Sequence, residues 1–246
     1  FSTLESAGIE VKDDGRSGLM HNKFWIFDDQ MVWTGSYNVT ANGTFRNNNN
    51  ALVIRSPDVA TVYEREFQEL WNGAFGPTSP STIGDQRIQI DDSSLQMLFA
   101  AEDGVVGHLI RLIEDAQDSI RFMAFSFTHD EVAEALIARA EAGVEVKGIL
   151  ETRGSETEYS ELSTLYCAGL RVRQDGNPGA LHHKVLIIDD EIVVTGSLNF
   201  SVSADESNDE NVLVIGNTSI AAQYSGEFER RWDEANDPDA GDVVCD

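Results

Sequence analysis

The sequence predicts an α/β fold built from two copies of one unit, with helices covering mixed sheets and the first copy incomplete at its N-terminal side. Three observations support this prediction. Residues 2–71 align with residues 163–232 without an insertion, at a constant offset of 161 positions. The second copy alternates short β-prone runs with segments that carry apolar residues at helical spacing. The first copy has no counterpart of residues 95–150.

The repeat is specific at the level of single residues, and self-similarity of this length indicates internal duplication. Coinciding pairs are Ala7-Gly8 with Ala168-Gly169, Asp28 with Asp189, Thr34-Gly35-Ser36 with Thr195-Gly196-Ser197, Asn50 with Asn211, Phe67 with Phe228 and Trp71 with Trp232. Glycine and proline over residues 72–87 indicate a linker. We therefore assign residues 1–84 to the first repeat with its linker and residues 85–246 to a second, complete repeat.

Hydrophobic periodicity and turn residues predict the elements of the second copy in order. Strands are predicted at Leu95–Ala101, Ser119–Phe127, Val144–Leu150, Leu170–Arg173, His183–Asp189, Glu191–Thr195 and Asn211–Ile215, and helices at Val105–Ala116, Asp130–Ala142, Glu158–Ala168 and Ser219–Glu234. Gly169 is a natural end for the third helix.

The first copy starts at the position equivalent to Leu162, so it lacks three of these strands and two of these helices. A sheet truncated in this way would expose strand edges and apolar faces. We therefore expect a missing N-terminal segment, or a second chain, to complete the first repeat.

Composition limits the classes of partner. The chain has 43 Asp and Glu against 17 Lys and Arg, a net charge of −26 that repels polyanions at long range. A high-salt environment is one interpretation of this charge, and a surface selected for solubility is the other. Cys167 and Cys245 are too few for a disulfide framework and are not spaced as metal ligands, although a single bridge stays open. Residues 237–246 are expected to form a frayed acidic tail.

A duplicated motif carries the chemistry. His21 and Lys23 precede Asp28, and His182 and Lys184 precede Asp189, which gives the spacing HxKxxxxD twice. Positions i and i+2 of a strand share a face, so each His and Lys should project into one cleft. Seventeen residues after each His stands an Asn, either Asn38 or Asn199, two residues beyond the serine of a Gly-Ser pair that contains Ser36 or Ser197.

This pattern resembles the phospholipase D superfamily, whose sites combine two such motifs across a pseudo-twofold axis, and the resemblance covers both repeats. It implies a two-repeat α/β/α sandwich. It also implies that His21 is the nucleophile of a phosphohistidine mechanism and His182 the general acid, an order that varies within the superfamily and is left open.

The residue types fit that chemistry. Imidazole can act as a nucleophile and as an acid because its ordinary pKa is near 6.5. Lys23, Lys184, Asn38 and Asn199 would donate to the nonbridging oxygens of the phosphate, while Ser36 and Ser197 would either bind phosphate or stabilise a turn. This is work that a metal would otherwise do, so we predict no metal, no cofactor and activity that survives a chelator.

Supporting roles are predicted for four further residues. Asp28 and Asp189 lie at strand ends, where a structural hydrogen-bonding role is favoured. Glu210 resembles the acidic residue that orients a catalytic histidine in the superfamily. Its counterpart in the first copy is Asn49, which removes one carboxylate and suits unequal roles for the two halves.

The substrate is open between three hypotheses. A nuclease-like phosphodiesterase is favoured because each repeat is compact and resembles the small bacterial endonucleases of the superfamily, and a local basic groove could form from Arg16, Arg46, Arg153, Arg171 and Arg173. A phospholipase D acting on phospholipid head groups is the alternative, and it requires an exposed apolar rim. The third hypothesis is a binding module without catalysis.

Overall fold

The computed structural model describes residues 1–79, 81, 86–239 and 241–245. Its α-helices are α1 (Ser2–Ser6), α2 (Ala41–Phe45), α3 (Pro57–Trp71), α4 (Val105–Asp115), α5 (Asp130–Glu141), α6 (Thr152–Ser155), α7 (Leu162–Cys167), α8 (Val202–Glu206) and α9 (Thr218–Glu234). Its strands are β1 (Phe24–Phe27), β2 (Met31–Gly35), β3 (Ala51–Arg55), β4 (Gln86–Ile90), β5 (Ser93–Ala100), β6 (Ser119–Ala124), β7 (Glu145–Leu150), β8 (Arg171–Gln174), β9 (Lys184–Ile188), β10 (Ile192–Gly196) and β11 (Glu210–Gly216).

The strands form two sheets. The larger has eight strands in the order β4-β5-β11-β10-β9-β6-β7-β8, and the smaller has the order β1-β2-β3. Within the larger sheet β6, β7 and β8 are parallel and the other neighbours are antiparallel. The predicted α/β class with a mixed sheet is confirmed.

Apolar residues fill both faces of the larger sheet, because side chains alternate along each strand. On β5, Leu98 and Ala100 pack against α4 and α5, while Met97 and Phe99 face the opposite layer. That opposite layer contains α9 together with α3 and the inner face of the smaller sheet. The two repeats therefore share one continuous apolar layer.

The equivalent helices of the two repeats begin with equivalent caps. Ser56 accepts a hydrogen bond from the Val59 amide through Oγ at 3.3 Å, and Asn217 accepts one from the Ile220 amide through Oδ1 at 2.9 Å. A side-chain acceptor at this position satisfies an amide that the helix leaves unpaired. These caps fix where α3 and α9 start.

Several local expectations are wrong. Part of the predicted linker is strand β4, and α7 begins at Leu162 rather than Glu158. The boundary between residues 84 and 85 lies outside the described residues. The tail is anchored instead of frayed, because Asn236 pairs with Gln174 and a disulfide joins Cys167 to Cys245.

One face of the smaller sheet carries exposed aromatic residues. Trp25, Phe27 and Trp33 line a shallow cavity there, whereas their repeat equivalents Leu186, Ile188 and Val194 are buried under α4 and α5. The equivalent strands β1 and β9 also differ in how many neighbouring strands they pair with. In the larger sheet β9 pairs with β6, but within the described ranges β1 pairs with β2 alone.

Candidate active site

A pseudo-twofold relation joins the two repeats at the motifs. Met20 forms a parallel bridge with Asp209, and the equivalent residues Leu181 and Asn48 form the same bridge. One residue further, the amide of His21 donates to the Asp209 carbonyl at 3.0 Å, and the amide of His182 donates to the Asn48 carbonyl at 2.8 Å. Each motif is thus held by the other repeat.

Equivalent asparagine and threonine side chains also connect the two repeats. Asn211 Nδ2 donates to Thr34 Oγ1 at 2.7 Å, and Thr195 Oγ1 donates to Asn50 Oδ1 at 2.9 Å. Asn211 also accepts from the Lys23 amide at 3.3 Å. Satisfied hydrogen bonds between side chains of two packed elements specify their register, so these bonds help to set how the two motifs face each other.

His21 is held by a carboxylate of the opposite repeat. Its Nδ1 lies 2.8 Å from Glu210 Oε1 and 2.7 Å from Oε2, and Glu210 is fully buried. Asn208 Nδ2 donates to the same carboxylate at 3.1 Å. Because the carboxylate is an acceptor, Nδ1 of His21 carries a proton and Nε2 is left for the substrate.

His182 is held by a neutral acceptor instead. Its Nδ1 donates to the Ser36 carbonyl at 2.9 Å, so Nε2 is again left for the substrate. Burial, followed by the charges of Lys184 and Lys23, lowers the pKa of His182 to about 3, and His21 adds to this effect. The four motif residues therefore interact electrostatically as one cluster, with His182 neutral in the free site.

The two lysines are buried in equivalent positions. Lys23 Nζ donates to the His21 carbonyl at 2.7 Å, and Lys184 Nζ donates to the His182 carbonyl at 3.1 Å. Burial lowers the pKa of Lys23 to about 8 although Glu210 opposes the shift, and burial also lowers the pKa of Lys184. A phosphate anion placed between them would supply the countercharge that the free site lacks.

The asparagines and the serines of the turns differ in how accessible their side chains are to a substrate. Asn38 and Asn199 are partly exposed, and each carbonyl accepts from the amide two residues further on. Ser36 and Ser197 are fully buried, and each hydroxyl accepts a backbone amide, from Asn50 at 3.1 Å and Asn211 at 2.9 Å. This arrangement favours the turn-stabilising role for both serines.

The glycines of the two Gly-Ser pairs are dictated by sterics. Gly35 and Gly196 have φ of 147° and 151°, and a Cβ at either would collide with the backbone carbonyl of Asn50 or Asn211. Only glycine combines this φ with that close approach. The turn after β2 and β10 therefore depends on glycine.

The supporting residues lie in unequal surroundings. Asp189 accepts the amides of Gln117, Asp118 and Ser119 at 2.9, 2.8 and 2.9 Å, whereas Asp28 is exposed. Asn49 donates to the carbonyls of Gly43 and Asn47 and makes no contact with His182 among its hydrogen bonds. Because Asn49 stands where the second repeat has Glu210, no carboxylate supports His182 in the way that Glu210 supports His21, and Nδ1 of His182 bonds the Ser36 carbonyl.

Comparison with known proteins places the chain in a family. The family model described as "Cardiolipin synthase, PLD-like domain" matches residues 1–71 and 109–232. The chain belongs to the phospholipase D superfamily. The resemblance predicted from the duplicated motif is thereby confirmed.

Two relatives of this superfamily member illustrate the range of similarity. Mitochondrial cardiolipin hydrolase of Xenopus laevis is 36% identical over 132 residues, which cover 54% of this chain and 63% of the relative. Phospholipase D of Rickettsia bellii is 34% identical over 148 residues, which cover 60% of this chain and 74% of the relative. The chain thus spans less than two thirds of the cardiolipin hydrolase.

Solved structures agree with the phospholipase D fold. Nuc from Salmonella typhimurium, a phospholipase D family member, superposes with a TM-score of 0.56 and 32% identity, covering 60% of this chain and 99% of Nuc. Phosphatidylserine synthase of Haemophilus influenzae gives a TM-score of 0.64 over 88% of this chain and 62% of its own, at 13% identity, which shows likeness of fold alone.

Beside His182 the candidate site of this superfamily member opens into a cavity of about 650 Å³. Of the five predicted groove arginines, only Arg46 and Arg153 line it. Arg16 pairs with Asp14 and Asp209, Arg171 with Glu145, and Arg173 with Asp237. The expected five-arginine groove is therefore reduced to two side chains.

Sequence reasoning missed residues that shape the site without belonging to the motif. The Phe125 ring lies 4.6 Å from the His182 ring and 4.4 Å from Lys184 Nζ, so it covers one side of the second motif. Asn208 supports Glu210, and Thr34 and Thr195 bind the asparagines of the opposite repeat. The coincidence of Thr34 with Thr195 and of Asn50 with Asn211 in the repeat was the available signal.

Proposed function

We propose that this chain carries the active site of a metal-independent phosphodiester hydrolase that works through a phosphohistidine intermediate. The observation that carries the proposal is the pair of histidines, each fixed at Nδ1 by an acceptor of the opposite repeat and each left with Nε2 for the substrate. Two buried lysines adjoin this pair. Charge stabilisation by donors fixed in a water-poor site is a large contribution to catalysis.

In the first step Nε2 of His21 attacks phosphorus, a P–N bond forms and the P–O bond to the leaving group breaks. Positive charge develops on the ring of His21, and the Glu210 carboxylate at Nδ1 stabilises it. The leaving oxygen takes the proton from Nε2 of His182. Glu210 is the reason for assigning the nucleophile to His21 and not to His182.

In the second step the now neutral His182 takes a proton from water, the hydroxyl oxygen attacks phosphorus and the P–N bond breaks. His21 is regenerated and His182 is again protonated. The Ser36 carbonyl accepts from Nδ1 of His182 in both protonation states, so the ring can gain and lose a proton at Nε2 without losing its support.

His182 obtains its proton together with the substrate. Burial and the charges of Lys184 and Lys23 keep the pKa of His182 low in the free site. A bound phosphodiester anion offsets the two lysine charges, which favours the protonated ring. Substrate binding and protonation of the acid are therefore coupled.

The roles of the two histidines are tested with substrates that differ in leaving group. With bis(p-nitrophenyl) phosphate the leaving phenolate needs no proton, so His182→Ala should still form the phosphoenzyme, whereas His21→Ala should not. With an alkyl leaving group both variants should be inactive. Phosphoenzyme in His21→Ala but not in His182→Ala would reverse the assignment, and full activity of His21→Ala would reject the mechanism.

A nuclease-like activity is the first candidate for the substrate class. Arg46 and Arg153 line the cavity beside His182, and neither forms an ion pair within the described ranges. They are positioned for a second phosphate on the same substrate, as in a nucleic acid strand. The net charge of −26 limits long-range attraction, so binding would rest on these local contacts.

A phospholipid is the second candidate, and one side chain favours it. Phe45 is 83% exposed, and it directly precedes Arg46 of the cavity wall. The equivalent position in the second repeat is the charged Glu206. Two of the matched relatives are named cardiolipin hydrolase and phospholipase D.

The two candidates are separated by assaying single-stranded DNA, RNA, phosphatidylcholine vesicles and cardiolipin vesicles side by side, in EDTA, at low and at molar salt. Arg46→Gln should weaken cleavage of nucleic acid and Phe45→Ser should weaken cleavage of vesicles. Cleavage of vesicles alone, sensitive to Phe45→Ser, rejects the nuclease assignment.

We further propose that a segment with the structure of residues 95–150, from this protein or from a second chain, completes the first repeat. Three observations support it: the exposed aromatic face with Trp25 and Phe27, the pairing of β1 with β2 alone among the described strands, and Asp28, whose equivalent Asp189 binds three amides at the start of β6.

Light scattering and dye binding test this completion on the chain of 246 residues. We expect the chain alone to bind a hydrophobic dye or to associate through the open face, and Phe27→Asp to reduce both. A monomer that binds no dye and unfolds cooperatively would contradict the proposal. A stable dimer dispersed by Phe27→Asp would assign the cover to a second copy instead.

A further inference from the structure

Three glutamates outside the catalytic cluster bring their carboxylates together. Glu66 and Glu69 lie one turn apart on α3, and Glu102 lies in the loop after β5. One carboxylate oxygen of each lies within 4.8 Å of the others. The group therefore joins the helix of the first repeat to the large sheet of the second.

Glu66 is the most deeply buried of the three glutamates. Its side chain is only 2% exposed, and its Oε2 has no hydrogen-bond partner in the part of the chain that the structure describes. Oε1 has only a long contact of 3.5 Å with Asn22 Nδ2. A buried carboxylate oxygen without a partner is costly, so a ligand that binds this oxygen is expected.

The equivalent glutamate of the second repeat has basic partners that Glu66 does not have among the described residues. Glu227 is the equivalent of Glu66, and it pairs with His183 at 3.5 Å, Arg230 at 2.5 Å and Arg231 at 3.1 Å. The residues at the equivalent positions of the first repeat are Asn22, Glu69 and Leu70. Every basic partner has been replaced by a neutral or an acidic residue, while the buried carboxylate has been kept.

The electrostatic consequence is opposite in the two repeats. Burial raises the pKa of Glu227, but His183 and the arginines outweigh it and lower that pKa to about 2. Burial, with Glu102 and Glu69 next, raises the pKa of Glu66 to about 9. Among the described residues, Glu66 therefore lacks the basic partners that keep its equivalent Glu227 ionised.

We propose that Glu66, Glu69 and Glu102 bind a calcium ion that replaces the basic side chains of the second repeat. Calcium takes about six to eight oxygen ligands, largely from carboxylates, carbonyls and water, whereas magnesium is usually held by one or two carboxylates with several waters. Three glutamates whose carboxylate oxygens lie within 4.8 Å of one another therefore suit calcium better than magnesium. Glu69 and Glu102 are partly exposed, which leaves an entry path and room for water ligands.

The bound ion has a structural consequence. It connects α3 to the loop after β5, and so it holds the first repeat against the second. The three glutamates are separate from the proposed catalytic cluster, and this inference does not rest on the proposed function. Calcium should therefore change stability, whereas turnover well below the melting temperature should survive a chelator.

The test begins with EDTA-treated, dialysed protein. Isothermal titration with CaCl2 should show one ion per chain, and the melting temperature should rise with calcium; at a hundredfold excess over Kd the ratio of folded to unfolded protein rises about hundredfold. MgCl2 should give a smaller effect, and NaCl at equal ionic strength controls for screening of the acidic surface.

Variants decide whether the three glutamates hold the ion. Glu66→Gln and Glu102→Gln should each abolish the calcium response, while Glu64→Gln, on the other side of α3, should retain it. Two separate variants keep the test valid if one fails to fold. Absence of stoichiometric binding to the wild-type chain, or binding unchanged in both variants, would overturn the proposal.

Discussion

Glu210→Gln removes the charge that supports His21 while keeping the shape of the side chain. In the wild-type chain both carboxylate oxygens lie within 2.8 Å of His21 Nδ1, and Asn208 Nδ2 donates to Oε1. Glutamine has one acceptor oxygen for these two donors, so either His21 or Asn208 must face an amide NH2 group. The developing charge on His21 also loses its counterion.

The expected loss of rate in Glu210→Gln follows from the free energy of a hydrogen bond to a charged group. A hydrogen bond to a charged group contributes about 1.5–3 kcal/mol, and each 1.36 kcal/mol of barrier is tenfold in rate. Phosphoenzyme formation by Glu210→Gln should therefore slow by about 10- to 150-fold. Rapid-quench single-turnover kinetics measure this step, and KM should change little.

A control and a second leaving group make the result specific. Glu161→Gln replaces another buried glutamate and should leave the rate unchanged. Because Glu210 supports the nucleophile, the defect should be equally large with p-nitrophenyl and alkyl substrates. An unchanged rate, or a defect that vanishes with the p-nitrophenyl substrate, would refute the reasoning and place Glu210 behind the acid.

Three further outcomes are expected. Burial lowers the pKa of Lys23 to about 8, so the charged form of Lys23 is lost and kcat/KM should fall as the pH rises through 8. The variant Lys23→Arg keeps its charge, so its kcat/KM should be lower but independent of pH in this range. A wild-type kcat/KM that does not change with pH would contradict this prediction. Binding of inorganic phosphate should take up a proton at His182, so its calorimetric enthalpy should depend on the ionisation enthalpy of the buffer, and buffer-independent enthalpies would contradict the coupling. The disulfide closes a loop with a sequence separation of 78, so Cys245→Ser should lower the free energy of unfolding by at most about 4.5 kcal/mol in denaturant titrations, and a wild-type value would show that the bridge does not stabilise the fold.

The sequence alone predicts the superfamily and the inequality of the two motifs. The spacing from His21 to Asp28 and its exact recurrence from His182 to Asp189 predict the superfamily, because two motifs at one offset do not arise by chance. The same alignment pairs Glu210 with Asn49, which predicts unequal halves. It does not show which histidine the carboxylate contacts.

That contact is decided by the tertiary structure. Glu210 lies in the second repeat but holds His21 of the first, and the Ser36 carbonyl of the first holds His182 of the second. The burial that shifts the pKa of Lys23 also arises only when the repeats pack together. Five arginines near the motifs looked equivalent in sequence, yet ion pairs elsewhere leave only Arg46 and Arg153 at the cavity.

The amino-acid sequence by itself determined the duplication, the α/β class and the motif residues. These are properties of local periodicity and of residue identity at a fixed offset. Exchange of side chains between the repeats, the choice of ion pairs and the uncompensated burial of Glu66 depend on which distant residues meet. Only the tertiary structure brings those residues together, because contacts across the pseudo-twofold axis leave no regular spacing along the chain.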